Sequence, residues 1–339
     1  MHEEGTAADT GLEMAGNCTL PLSEDALLRF FLVYCCFICI VGITCNVVAL
    51  WCVARCPRTI TPVKVILGAI FSSTLLLCLV GPPSTANLAL SKLRCDGEVP
   101  KTVQMFATIS VCIFTKMESI YVFVMALLRA RGVWAPRRGP VRMRTAVAAV
   151  VGVGLYILLE TAVMVALKWM PNIHSHSRNI RLVASKIVHY LLPVLLTLAC
   201  YLSTIVAVRR NKRNLAGSQP TAAVTMVMDE ATRAMLAVFI SNLVFVLPCA
   251  IKFIMTTEFT KFMMDIFLVF FYTHLFVDPL VFVCFNSHHR RHVLQALQLC
   301  LGRPPREEGA LTIESQVAQS SPALGVPTRG EAKTQEDTC

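Results

Sequence analysis

The chain has 339 residues, of which 55% are hydrophobic and only 15% charged, with a mean hydropathy of +0.62. That composition excludes an ordinary soluble domain and leaves little chain for a second folded unit outside the apolar segments. The formal net charge of +10 raises nucleic acid as a partner, but the Lys and Arg residues sit mainly in alternate polar segments rather than on one stripe, so nucleic acid is set aside.

Residues 1–26 form an acidic tail without the basic start and short apolar core of a cleaved signal peptide, so the first apolar run is expected to act as its own insertion signal. Seven apolar runs follow, from Phe30 to Ala54, Val65 to Ser91, Thr102 to Leu128, Thr145 to Leu167, Ile187 to Val208, Ala234 to Ile251 and Ile266 to Phe285. Each is close to the ~20 residues a helix needs to cross a bilayer. Within hydrocarbon only helices or a closed barrel satisfy the backbone, and runs this long are not barrel strands. The expected fold is therefore an all-α membrane protein, a seven-transmembrane helix bundle over residues 27–285. Arg55, Arg58 and Lys64 follow the first span, Arg129, Arg131, Arg137, Arg138, Arg142 and Arg144 the third, and Arg209, Arg210, Lys212, Arg213 and Arg233 separate the fifth from the sixth. By the positive-inside rule these segments are cytoplasmic, which puts the N-terminus outside and the C-terminus inside.

The exterior assignment gives two residue sets a meaning. Asn17-Cys18-Thr19 is a glycosylation acceptor on the outer side. Of the fifteen cysteines, most lie in the apolar spans, where Cys acts as a small hydrophobe, while Cys18 and Cys95 face the oxidising exterior and are the pair proposed for a disulfide. Charges inside spans are costly and therefore informative. Lys116 and Glu160 fall at comparable depth in the third and fourth spans and are expected to form an intramembrane ion pair. Glu118 lies eleven residues before Arg129, a rotation that returns to within about 20° of the same helical face and points it into the bundle. Arg178, Arg181, Lys186, His189 and Lys252 collect at the outer helix ends and in a second outer loop, Lys168 to Lys186. They either line the entrance for an anionic ligand or snorkel into solvent.

Beyond the seventh span, residues 286–302 carry Val293, Leu294, Leu297 and Leu301 at helical spacing behind His288, His289, Arg290, Arg291 and His292, as expected of a short amphipathic helix lying on an anionic inner leaflet. Cys300 beside it is a palmitoylation candidate, whereas Cys339 makes no prenylation box because nothing follows it. From 303 to 339, Pro, Gly, Ser, Thr and charge dominate, and disorder is expected.

The residues that punctuate the spans occur in a recognisable order: Gly42 and Asn46 in the first, Arg129 with Pro136 seven residues on, Pro193 and Tyr201, Phe245 and Pro248, and Asp278-Pro279-Leu280-Val281-Phe282 in the seventh. In joint spacing, residues 27–300 resemble the rhodopsin-like, or class A, G-protein-coupled receptors, and the Asp before Pro279 is similar to the branch holding nucleotide, protease-activated and several lipid receptors. The resemblance implies a place in the plasma membrane, an extracellular ligand, a heterotrimeric G protein engaged around Arg129 and Tyr201, arrestin on a phosphorylated tail, and switch roles for Pro248, Asp278 and Pro279. It also implies a polar core in which Glu118, Asp278, Asn46, Ser72 and His274 hold a sodium ion or a shared proton, with a simply hydrogen-bonded pair of protonated acids as the alternative. The chain departs from the family pattern in several places. Leu128-Arg129-Ala130 stands where Asp-Arg-Tyr is usual, Ser72-Ser73 where the second helix carries Asp, Phe245-Val246-Leu247-Pro248 where Cys-Trp-x-Pro is usual, and Phe282 where Tyr is usual. The second outer loop has no Cys. The departures leave a decoy or partner subunit open as an alternative, with an ion or proton transporter behind it. No enzyme motif and no seventh-span Lys for a retinal Schiff base is present, so neither an enzyme nor a retinal pigment is expected.

Overall fold

The computed structural model describes residues 22–56, 59–94, 99–134, 141–169, 175–214, 222–255 and 261–300. Asn17, Cys18, Cys95 and Pro136 lie outside them, as do residues 301–339. All regular structure among the described residues is helical: α1 Leu22–Arg55, α2 Thr61–Arg94, α3 Lys101–Trp134, α4 Met143–Trp169, α5 Ser175–Lys186, a π-helical turn Ile187–Leu191, α6 Leu192–Asn214, α7 Ala222–Phe245, α8 Leu247–Ile254, α9 Lys261–Phe285 and α10 Ser287–Cys300. Seven stretches of these helices are long and apolar enough to cross a membrane, and the chain is a multi-pass seven-helix bundle. α3 packs against α2, α4 and α6, while α1 and α9 meet to close the ring.

Two spans differ from the sequence expectation, and prolines explain both. The fifth begins earlier, because Ser175 to Lys186 is helical rather than loop and runs through the π-helical turn into α6. Pro193 has no N–H and its ring clashes with the carbonyl four residues back; the wide turn just before it, closed by Leu192 N–H donating to the Ile187 carbonyl, accommodates that clash. The sixth span loosens at Val246, between α7 and α8, where the dihedrals stay helical and the Val246 N–H still donates to the Asn242 carbonyl at 2.9 Å, with Pro248 in the first turn of α8.

Two apolar clusters fill the bundle. One joins Ile66, Ile70, Phe71, Tyr121, Met125, Val238, Phe239 and Phe282 toward the end where α1, α3, α6 and α9 terminate. The other joins Cys35, Ile38, Leu77, Cys78, Cys249, Phe271, Tyr272 and Leu275 nearer the opposite end. Between them, on five helices, the chain places buried polar residues: Asn46, Thr74, Glu118, Ser241, His274 and Asp278. Each falls in sequence between residues of, or packed on, the two clusters, so a polar layer crosses the middle of the bundle.

α10 begins at Asn286, whose side-chain Oδ1 accepts the N–H groups of His288 (3.1 Å) and His289 (3.3 Å), the capping geometry expected for Asn. His289 is buried, with its ring 5.0 Å from that of Phe282. Burial, with His288 and His292 adding like charge, pushes its imidazole down to about 4, so it is neutral at physiological pH.

Candidate functional site: a polar layer and an unlatched arginine

Pro279 lacks the N–H that would bond the Leu275 carbonyl one turn back. That carbonyl is satisfied from another helix: Asn46 Nδ2 donates to it at 2.8 Å, and to the Gly42 carbonyl at 2.8 Å. Asn46 and Pro279, chosen from sequence as separate signals, thus form one joint between α1 and α9. Gly42 belongs to it as well, since a Cβ there would stand 2.9 Å from Cys78 Sγ. On α2 the same logic repeats more weakly, with Cys39 Sγ at 3.9 Å from the Cys78 carbonyl that Pro82 leaves without a helical donor.

Asp278 sits one residue before Pro279 and is fully enclosed. Its Oδ2 accepts from Asn242 Nδ2 at 2.5 Å, and Ser241 lies alongside. Glu118 reaches the same layer from α3, with Oε2 at 3.4 Å from His274 Nε2. His274 Nδ1 faces the Phe271 carbonyl, which only accepts, so Nδ1 carries a hydrogen. A neutral ring then presents a lone pair at Nε2 to an acceptor-only carboxylate. A proton on Nε2 or on the acid would complete a hydrogen bond between them. The charges of Glu118, His274 and Asp278 act on one another. Four further oxygens here, Asn46 Oδ1, Glu118 Oε1, Ser241 Oγ and Asp278 Oδ1, are buried without a direct protein partner, a pattern that calls for water or an ion. Among the described residues, no three His, Cys, Asp or Glu side chains come together as a metal cage.

Ser72 is not part of this layer. It is exposed on the outer surface of α2, while Ser73 and Thr74 turn inward and donate to the carbonyls of Ala69 and Ile70. One position on a helix is a rotation of 100°, and the doublet Ser72-Ser73 did not reveal which member faces in. Ser241 and Asn242 went unread although both are polar residues inside an apolar span, the signal that had singled out Glu118.

Arg129, in the last two turns of α3, is half-buried with Nε unpartnered. Tyr201 of α6 is its electrostatic neighbour. The Tyr201 hydroxyl is also buried without a direct partner, and its ring stacks on Phe239 at 5.2 Å. No carboxylate ion pair to Arg129 occurs among the described residues. Pro248 lies in the first turn of α8, apart from this pair in sequence and joined to it through α7.

The expected pair of Lys116 and Glu160 is present, with Nζ 2.6 Å from Oε2. It extends into a chain of polar contacts. Ser185 Oγ donates to Glu160 Oε1 at 2.6 Å, His189 Nδ1 lies 2.7 Å from the Ser185 carbonyl, and Tyr156 OH lies 3.0 Å from His189 Nε2. His189 is therefore buried in the contact of the π-helical turn with α4. Of the other cations, Arg181 is exposed on α5; Arg178 lies on α5 with its side chain outside the described residues. Lys186 and Lys252 are half-buried and within electrostatic reach of each other. Cys300 ends α10, and its side chain also lies outside the description.

No protein-family model matches the sequence, and no curated protein matches it significantly.

Proposed function

We propose that this chain is a rhodopsin-like membrane receptor that couples an outer ligand to a heterotrimeric G protein through the end of the bundle holding Arg129 and Tyr201, with elevated basal output. The observation that supports this most is the pairing of an unlatched Arg129 with an α1–α9 joint in which Asn46 bonds the carbonyl freed by Pro279. Such a bundle has the parts of a two-state element. Pro248, which removes a backbone donor from the sixth span, supplies a hinge, a polar layer links α1, α3, α7 and α9, and an arginine lacks the acid that would hold it in one state. In this reading the layer holds a proton shared between Glu118 and His274, and the outer lysines Lys186 and Lys252 attract an anionic ligand. Inside and outside follow the positive loops.

Second-messenger output in cells tests it, comparing wild type with Arg129→Ala at matched surface expression. Basal output above vector-transfected cells that falls in the variant supports coupling through Arg129. Equal output from wild type, variant and vector overturns it in favour of a receptor-like protein without signalling.

A further inference from the structure

The first two turns of α10 contain the run His288-His289-Arg290-Arg291-His292, and nothing in the receptor reading uses its imidazoles. His288 and His292 are four residues apart and so share one face of the helix. Their Nε2 atoms lie 3.2 Å apart, with the two rings at 88° and centroids 4.4 Å apart. One N–H···N bond accounts for that distance in the absence of any other ligand. The nitrogen separation is close to what a metal requires, and with the centroids only 4.4 Å apart the rings must turn outward to aim both lone pairs at one ion. Two nitrogens each about 2.0–2.1 Å from a tetrahedral ion are separated by roughly 3.3 Å.

The backbone that carries these rings is held in place. The Asn286 side chain caps the first turn, and His289, between the two ligands in sequence, is packed on Phe282. Both His288 and His292 remain partly exposed, so a metal on their Nε2 atoms has open coordination positions. Among the described residues no third His, Cys, Asp or Glu completes the set. The open positions fall to water or to a phospholipid phosphate oxygen, which the exposed Arg290 and Arg291 draw to this end of the helix.

We propose that His288 and His292 form a two-histidine site for a divalent late transition metal of the zinc class, at the membrane-proximal turn of α10. Imidazole nitrogen is the ligand such ions favour, and an i, i+4 pair on one helix is a known way of presenting two of them. A bound ion clips two consecutive turns together and ties them to the headgroup layer. The proposal does not depend on G-protein coupling.

The test uses the full chain in phospholipid nanodiscs, titrated with Co²⁺ as a spectroscopic probe and competed with Zn²⁺, for wild type, His288→Gln and His292→Gln. The expected result is a visible cobalt band displaced by zinc in wild type, with affinity lower by at least about tenfold in each variant and unchanged thermal stability without metal. Wild type without a band, or variants that bind as wild type does, overturn the site. Where a variant does not fold, wild type is modified with diethyl pyrocarbonate with and without Zn²⁺ and read by mass spectrometry. Protection of both His288 and His292 supports the pair, and modification unaffected by zinc overturns it.

Discussion

The Lys116 to Glu160 pair gives the sharpest energetic prediction. At 2.6 Å and an effective dielectric of about 20, the Coulomb attraction is roughly 6 kcal/mol. Removing each ion from water costs several kcal/mol, and the side chains are 10% and 15% exposed, so the two effects nearly cancel. The pair should therefore add little against a neutral replacement, while either ion alone is expensive. Lys116→Met leaves Glu160 with Ser185 as its remaining hydrogen-bond donor and should cost about 3–5 kcal/mol, as should Glu160→Gln, which strands the ammonium. On the scale of domains of 150–250 residues, this lowers the melting temperature by something on the order of 10 °C. The double variant Lys116→Met/Glu160→Gln should return to within about 1 kcal/mol of wild type. Thermal denaturation of the four purified proteins in nanodiscs, followed by fluorescence of a thiol-reactive dye, reads the cycle. A double variant that loses about the sum of the two single losses, with coupling below about 0.5 kcal/mol, would refute the argument that the ions compensate each other.

Two further predictions address the joint and the arginine. Gly42→Val drives a side chain against Cys78 Sγ and should cost about 1–3 kcal/mol; Cys78→Ala in the same chain should recover most of the loss, as measured by melting temperature. Leu128→Asp places a carboxylate next to Arg129 in sequence, where a charge-assisted hydrogen bond is worth about 1.5–3 kcal/mol. Basal second-messenger output should then fall by about tenfold or more, and output unchanged at equal surface expression would mean that Arg129 is not the element being held.

The number of spans, their order and the inward direction of Glu118 were legible because hydrocarbon forces helices and penalises charge, so both leave coarse marks in the sequence. The Lys116 to Glu160 pair was legible for the same reason, since two opposite charges at one depth have few other ways to be accommodated. Ser72 was misassigned because a single rotation step separates it from Ser73, and no charge penalty acts on a hydroxyl strongly enough to mark the inward one. The burial of His189 against α4 was not legible because its position depends on the extra residue in the π-helical turn. That turn shifts the helical phase of everything before it, and only Pro193 hinted at it. Asn242 needed the partner, Asp278, before its polarity acquired a purpose, and pairing across 36 positions is not visible in local spacing.

α4 is the least buried of the seven spans, and much of its surface, including Val151, Leu155, Leu158 and Leu159, is exposed outside the bundle. Acyl chains solvate such side chains as well as protein does, so apolar area does little to keep α4 docked. What holds it are directional bonds: Tyr121 OH to the Val150 carbonyl at 3.1 Å, Glu160 to Lys116 and Ser185, and Tyr156 to His189. Water is the competitor for all of these, and lipid tails are not. Extraction into a thin, hydrated detergent micelle thus threatens this helix first, and a thick lipid-like micelle that keeps water from the depth of Glu160 preserves it.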